Sequence, residues 1–265
     1  MEYLIYLVLG AVAGLVSGLF GLGGGAIIVP ILLATFAIQG VSPGIATHMA
    51  IATSLATIVI TSMSSIYTHY QKGVVRWEFI KIVVPGIVIG SFLGTSLFGG
   101  MGSALLQLLF GVFLMLVGLQ MLFYTPRASG KVQGRLLPLN VGGIAIGAVS
   151  SLLGVGGGIM VTPFLTFFGV SIHRAIGIAV VGGLAISLPA TLVYSSADVS
   201  GYNFPANTLG YIFLPAWLGI IITSAPFARF GALIAHRANE RQLKRYFGIV
   251  LLFISASFVW INLRG

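Results

Sequence analysis

Two glycine clusters are the part of this chain whose residue types and spacing invite chemistry. Gly21, Gly23, Gly24 and Gly25 precede Pro30, and Gly154, Gly156, Gly157 and Gly158 precede Pro163 in the same register. Within an apolar helix each glycine costs about 1 kcal/mol relative to alanine, so three in a row predict a break. If the helix restarts near Ala26 or Ile27, Pro30 falls about one turn in, where its missing N–H is among the unpaired donors anyway. A helix N-terminus presents bare amides and the positive end of the dipole, and glycine lets a ligand approach that backbone closely. The chemistry expected is the binding of a small anion without a buried Lys or Arg. Ser17 and Ser150 flank the clusters, and Thr53 and Ser54 lie further along the first half, where their hydroxyls can add donors. The other use of glycine is close helix packing, and Gly10, Gly14, Gly18 and Gly143, Gly147, Ser151 form small-xxx-small ladders that read this way.

Other chemistries lack their residues. The acids are Glu2, Glu78, Asp198 and Glu240, all at the terminus or in expected loops. No carboxylate falls in mid-span, so no acidic proton relay, catalytic pair or metal site is expected. Cysteine is absent, which removes disulfides, iron-sulfur clusters and thiol catalysis. GLGGGA matches a loose dinucleotide pattern, but no acid follows about 20 positions on and no Lys-Ser or Lys-Thr follows the glycines. No cofactor is expected. His48, in ATHMAIATS, is the exception: it lies inside an apolar segment, about one turn from its end. A histidine there is either a functional, titratable group or a hydrogen-bonding partner for a neighbouring helix.

The elements that must position these residues belong to a membrane. The 265 residues are 58% apolar and 6% charged, with a mean hydropathy of +1.10, whereas soluble domains carry about 25% charge. At about 20 residues per span the chain has room for about 8 to 10 crossings and no soluble catalytic domain. The net charge of +9 comes from residues in short loops, without the continuous stripe that nucleic acid needs.

Residues 10–30 and 143–163 match at 10 of 21 positions, against about 2 expected by chance, so the chain is two copies of one unit. Copy one is expected to run as segments 3–20, 26–38, 43–69, 77–98 and 103–124, and copy two as 136–153, 159–170, 174–195, 206–228 and 243–263. The segments after the glycines are too short to span comfortably, which favours re-entrant hairpins over full crossings. Lys and Arg mark cytoplasmic loops. The loops 39–44, 99–102 and 196–205 contain neither, and a consistent count puts them outside with both termini, leaving the basic loops, including Arg237 to Arg245, inside. Each copy then makes an odd number of crossings, so the two are inverted, as in many secondary transporters. The expected division is an N-terminal repeat over 1–126, a cytoplasmic linker over 127–135 and a C-terminal repeat over 136–265.

The duplicated G-x-G-G-G-x-x-x-x-P element, ATHMAIATS and the length of each half resemble the TauE/SafE, or sulfite exporter, family over nearly the whole chain. The residues by themselves predict an all-α polytopic membrane protein with two inverted repeats and broken or re-entrant helices, and the resemblance implies a place in the cytoplasmic membrane. It also implies a transporter, not an enzyme, for small sulfur-containing anions such as sulfite or organosulfonates. The alternatives are a passive anion channel and a non-transporting membrane scaffold. Expected partners are the small inorganic or organic sulfur anion and the lipid bilayer, with a homo-oligomer allowed and no nucleic acid. ATHMAIATS aligns in copy two with AIGIAVVGG, residues 175–183, so His48 and Thr53 have no counterparts there.

Overall fold

The computed structural model describes residues 2–20, 24–71, 77–123, 136–170, 172–199, 204–235 and 240–264. Gly21 and Gly23, and the expected linker 127–135, lie outside the described residues. The first half forms α1 (Glu2–Phe20), α2 (Gly25–Ile38), α3 (Pro43–Gln71), α4 (Trp77–Phe98) and α5 (Ser103–Phe123). The second forms α6 (Leu136–Leu153), α7 (Gly157–Phe167), α8 (Ile172–Ser195), a two-stranded hairpin of β1 (Thr208–Leu209) and β2 (Ile212–Phe213), then α9 (Leu214–Ala235) and α10 (Glu240–Arg264). The protein is an all-α polytopic membrane protein. Among the described residues, α3, α4, α5 and α8 contain stretches long and apolar enough to cross a bilayer, and leucines, isoleucines and phenylalanines are exposed along the outward faces of the helices, as lipid-facing surfaces require.

Two expectations need correction. Residues 206–213 do not begin a helix, because Asn207 (φ 64°) and Gly210 (φ 54°) adopt left-handed backbone and turn the chain into the hairpin before α9 starts at Leu214. Glu240 to Arg245 are not a loop but the first turns of α10.

Packing is mostly between the halves. α1 lies along α9 and its counterpart α6 along α4, while α3 packs on α8 and α5 on α10. Directions follow from the contacts. A Cβ on Gly86, Gly90 or Gly94 of α4 would strike Asn140, Ile144 or Ala148 of α6 in the same order, so those helices run parallel. Likewise Gly10 abuts Ile220 and Thr223, and Gly14 abuts Ser224, making α1 and α9 parallel. The glycine ladders therefore serve packing: backbones approach so closely that no side chain fits between them. By contrast α5 and α10 run antiparallel, with Gly118 against Gly248 and Ser255 Oγ donating to Gly111 O at 2.7 Å. α3 and α8 also run antiparallel, since Gly183 abuts Ser62 while the far end of α8 reaches the start of α3 through Tyr194, Tyr211 and His48. The corresponding helices α3 and α8, and α5 and α10, thus point in opposite directions.

The loops without Lys or Arg meet at one end. Gln39 Nε2 donates to Tyr6 Oη at 2.8 Å, Ser103 Oγ donates to Gly44 O at 2.7 Å, and the hairpin packs beside His48. The Gln39–Tyr6 bond also shows that α2 returns to the end from which α1 departs.

Candidate functional site

The helix breaks fall where the glycines predict. α2 begins after Gly24, whose left-handed φ of 76° is costly for any residue with a side chain, and α7 begins after Gly156 in extended conformation. Neither start has a side-chain cap. The amides of Gly25 and Ala26, and those of Gly157 and Gly158, therefore belong to first turns without the cap that a Ser, Thr, Asp or Asn usually supplies. Pro30 and Pro163 lie past the first turn, not in it: helix start at Gly25 or Gly157 puts each ring where it removes the donor to a carbonyl four residues back, Ala26 or Ile159.

The two breaks touch. A Cβ built on Gly25 would fall on the carbonyl oxygen of Gly154 and lie 3.0 Å from Val155 Cα. Gly154, at φ 66°, sits against Ile51 Cα of α3, and Gly157 abuts Ala179 and Gly183 of α8. Ile51 and Ser54 lie well inside the 43–67 apolar stretch of α3, and Ala179 and Gly183 are similarly central in α8. The half-helices α2 and α7 therefore start deep within the helical layer and run apart. At 14 and 11 residues, or about 21 and 17 Å of helix, they have the lengths of re-entrant elements and not of spans.

The candidate hydroxyls divide. Ser54 Oγ donates to Gly154 O at 2.8 Å, so it lies at the meeting point. Ser150, one turn before the second break, donates to Met160 Sδ at 3.3 Å, and Ser17 is buried near the end of α1. Thr53 faces elsewhere: its Oγ1 accepts from Phe213 N–H of β2 at 3.0 Å. His48 is not at the glycine breaks but at the end of α3, with Nδ1 3.5 Å from Ser103 Oγ and its ring 5.3 Å from that of Tyr211. The structure thus separates a central group (Gly24, Gly25, Ser54, Gly154, Gly156, Gly157, Gly158) from His48 at the end of α3, while Thr53, at the depth of Ser54, faces the hairpin instead.

Buried polar residues among those described are serines, threonines and His48, with no buried carboxylate, Lys or Arg. Many lie on α3: Thr47, His48, Thr53, Ser54, Thr57, Thr61 and Ser62. These groups are neutral, and Thr57 and Thr61 donate to carbonyls one turn back on α3, at 2.9 and 3.2 Å. No group of His, Cys, Asp and Glu suited to a metal occurs among the described residues.

Sequence reasoning overlooked Tyr211, whose ring meets His48, Phe213, whose N–H meets Thr53, and the packing of Tyr194 on Tyr211. The available signal was Pro205, Asn207 and Gly210 in FPANTLGYIF, residues types that favour turns, within a stretch whose hydropathy otherwise reads as helix.

Residues 6–258 match the family described as Sulfite exporter TauE/SafE. A probable membrane transporter protein of Haemophilus influenzae is 32% identical over 254 residues, covering 95% of this chain and 96% of its own. One from Methanocaldococcus jannaschii is 28% identical over 243 residues, or 91% and 89% of the two chains. Another, from Bacillus subtilis, is 27% identical over 282 residues, or 98% of each. No solved structure matches the chain significantly.

Proposed function

The chain belongs to the TauE/SafE family of membrane transporters, and on that premise we propose that it is a secondary transporter that exports small sulfur-containing anions such as sulfite or organosulfonates. The anion is held between the N-termini of α2 and α7 and near Ser54. The supporting observation is the contact of the two uncapped half-helix starts, Gly25 against Gly154 and Val155, deep in the helical layer. Dipoles aimed at one region attract negative charge from both sides, and neutral hydroxyls make it less costly to desolvate an anion without trapping it.

The antiparallel counterparts α3/α8 and α5/α10 and the exchanged pairs α1/α9 and α4/α6 favour two inverted repeats, residues 1–126 and 136–265, in the cytoplasmic membrane. Rocking of one repeat against the other about the glycine turns exposes the anion to each side alternately. An inside-negative potential drives export by about 2.3 kcal/mol per charge per 100 mV, so a carrier without an embedded carboxylate can still expel its substrate.

The test is counterflow of labelled sulfite and organosulfonates in proteoliposomes. A carrier gives saturable exchange that stops without anion on the opposite side. Unsaturable flux marks a channel, and absence of flux under every imposed gradient marks a protein with another role.

A further inference from the structure

Residues 196–213 join α8 to α9, whereas residues 72–76 join the corresponding helices α3 and α4. Copy two therefore carries an insertion, and the insertion reaches into copy one. Thr208 pairs with Phe213 and Leu209 with Ile212, around a two-residue tip of Gly210 and Tyr211. Gly210, with φ 54°, supplies the left-handed first position that such tight tips favour.

The hairpin is wedged, not draped. Ile212 and Phe213 are buried, and the Phe213 ring meets Tyr6 of α1 at 6.1 Å and Phe36 of α2 at 5.7 Å, both edge-on. Its N–H is held by Thr53 Oγ1 of α3 at 3.0 Å. At the tip, Tyr211 places its ring 5.3 Å from His48, 6.1 Å from Tyr194 and 5.5 Å from Phe204. His48 and Thr53, which have no counterparts in copy two, both meet the element that has no counterpart in copy one. Beside it, the hydroxyl of Tyr194 on α8 and Nε1 of Trp217 on α9 are buried with no hydrogen-bond partner among the described residues. Unpaired donors are costly in a dry interior, and a passing anion would satisfy them.

We propose that the 204–213 hairpin is the gate over the outer end of the transport path, latched by the Thr53–Phe213 bond and sealed by Tyr211 over His48. This rests on the transport reading, and it adds which end is shut and what shuts it. The gate opens when β2 leaves α3, uncovering His48 and the Tyr194 hydroxyl, while the central glycine turns keep their own contacts.

The native chain has no cysteine, so one introduced thiol reports cleanly. Ala50, fully buried and on the Thr53 face of α3 one turn nearer its start, is replaced as Ala50→Cys and labelled with a membrane-impermeant thiol reagent from outside. In the otherwise native background labelling is slow. Thr53→Val removes the acceptor and is expected to raise the rate about fivefold through a shifted open population; Tyr211→Ala raises it likewise, and Thr53→Ser keeps the native rate. Unchanged rates in both Thr53→Val and Tyr211→Ala, labelling confined to the inner face, or an equal rise in Thr53→Ser would overturn the gate. Accessibility is read without flux, so raised labelling in a chain that carries no anion would sink the transport reading and leave the hinged hairpin standing.

Discussion

The hydroxyl of Ser54 donates to the carbonyl oxygen of Gly154 across 2.8 Å, tying the middle of α3 in one half to the turn between α6 and α7 in the other. Both groups are buried. The turn at Gly154 is closed within its own half by Val155 N–H donating to Ser150 O at 3.0 Å, and the Ser54 bond adds a partner for the Gly154 carbonyl from the other half.

Removing that donor has a readable cost. Ser54→Ala leaves the Gly154 carbonyl buried and unpaired, which is expected to destabilise the protein by about 1–3 kcal/mol. Thermal unfolding of the purified protein in detergent measures it. An unchanged midpoint would show that the carbonyl is satisfied in another way.

Gly25→Ala places a methyl group on the Gly154 carbonyl oxygen and within 3.1 Å of Ile58 Cδ1. The two breaks must then move apart. The variant is expected to insert into the membrane and to lose most of its anion flux, and flux per inserted molecule in proteoliposomes tests this. Retention of native flux would mean that the close approach of the breaks is not used.

Gly90→Val differs in kind. Its side chain would strike the Ile144 backbone in the parallel α4–α6 pair, away from the proposed anion, so overpacking costs about 1–3 kcal/mol or more. Lower yield and a lower unfolding midpoint are expected, with unaltered anion affinity in the folded fraction. A selective affinity change at full stability would contradict a packing role.

Much of this was legible in the sequence, and the reasons differ by element. Three adjacent glycines in an apolar run have few structural uses, so Gly24 and Gly157 reveal helix breaks directly, and the 133-residue offset between matching glycines reveals that there are two. Loops lacking Lys and Arg came out together at one end because topology, which sets charge placement, also sets which loops can meet. The exchange of partners, α1 to α9 and α6 to α4, was not legible: lipid-facing and protein-facing residues are equally apolar, so hydropathy carries no address. The hairpin was hidden for the same reason, since Leu209, Ile212 and Phe213 read as the continuation of the α9 span. His48 and Thr53 stood out by type, but only the fold shows that their side chains meet the hairpin and not the glycine breaks.

His48→Phe keeps an aromatic ring against Tyr211 while removing both ring nitrogens. It is expected to preserve the unfolding midpoint and lower flux severalfold, as read by counterflow. Native flux would make the residue a packing element at the end of α3.

The central claim is that the bare first turns of α2 and α7 hold one small anion between them. Crystals soaked with selenite, an anomalously scattering analogue of sulfite, test it most directly. The account predicts a selenium peak within hydrogen-bonding distance of first-turn amides from both half-helices, near Gly25 and Gly157, that is lost when sulfite is added in excess. A peak only among the surface lysines and arginines, with none beside either glycine turn, would contradict it.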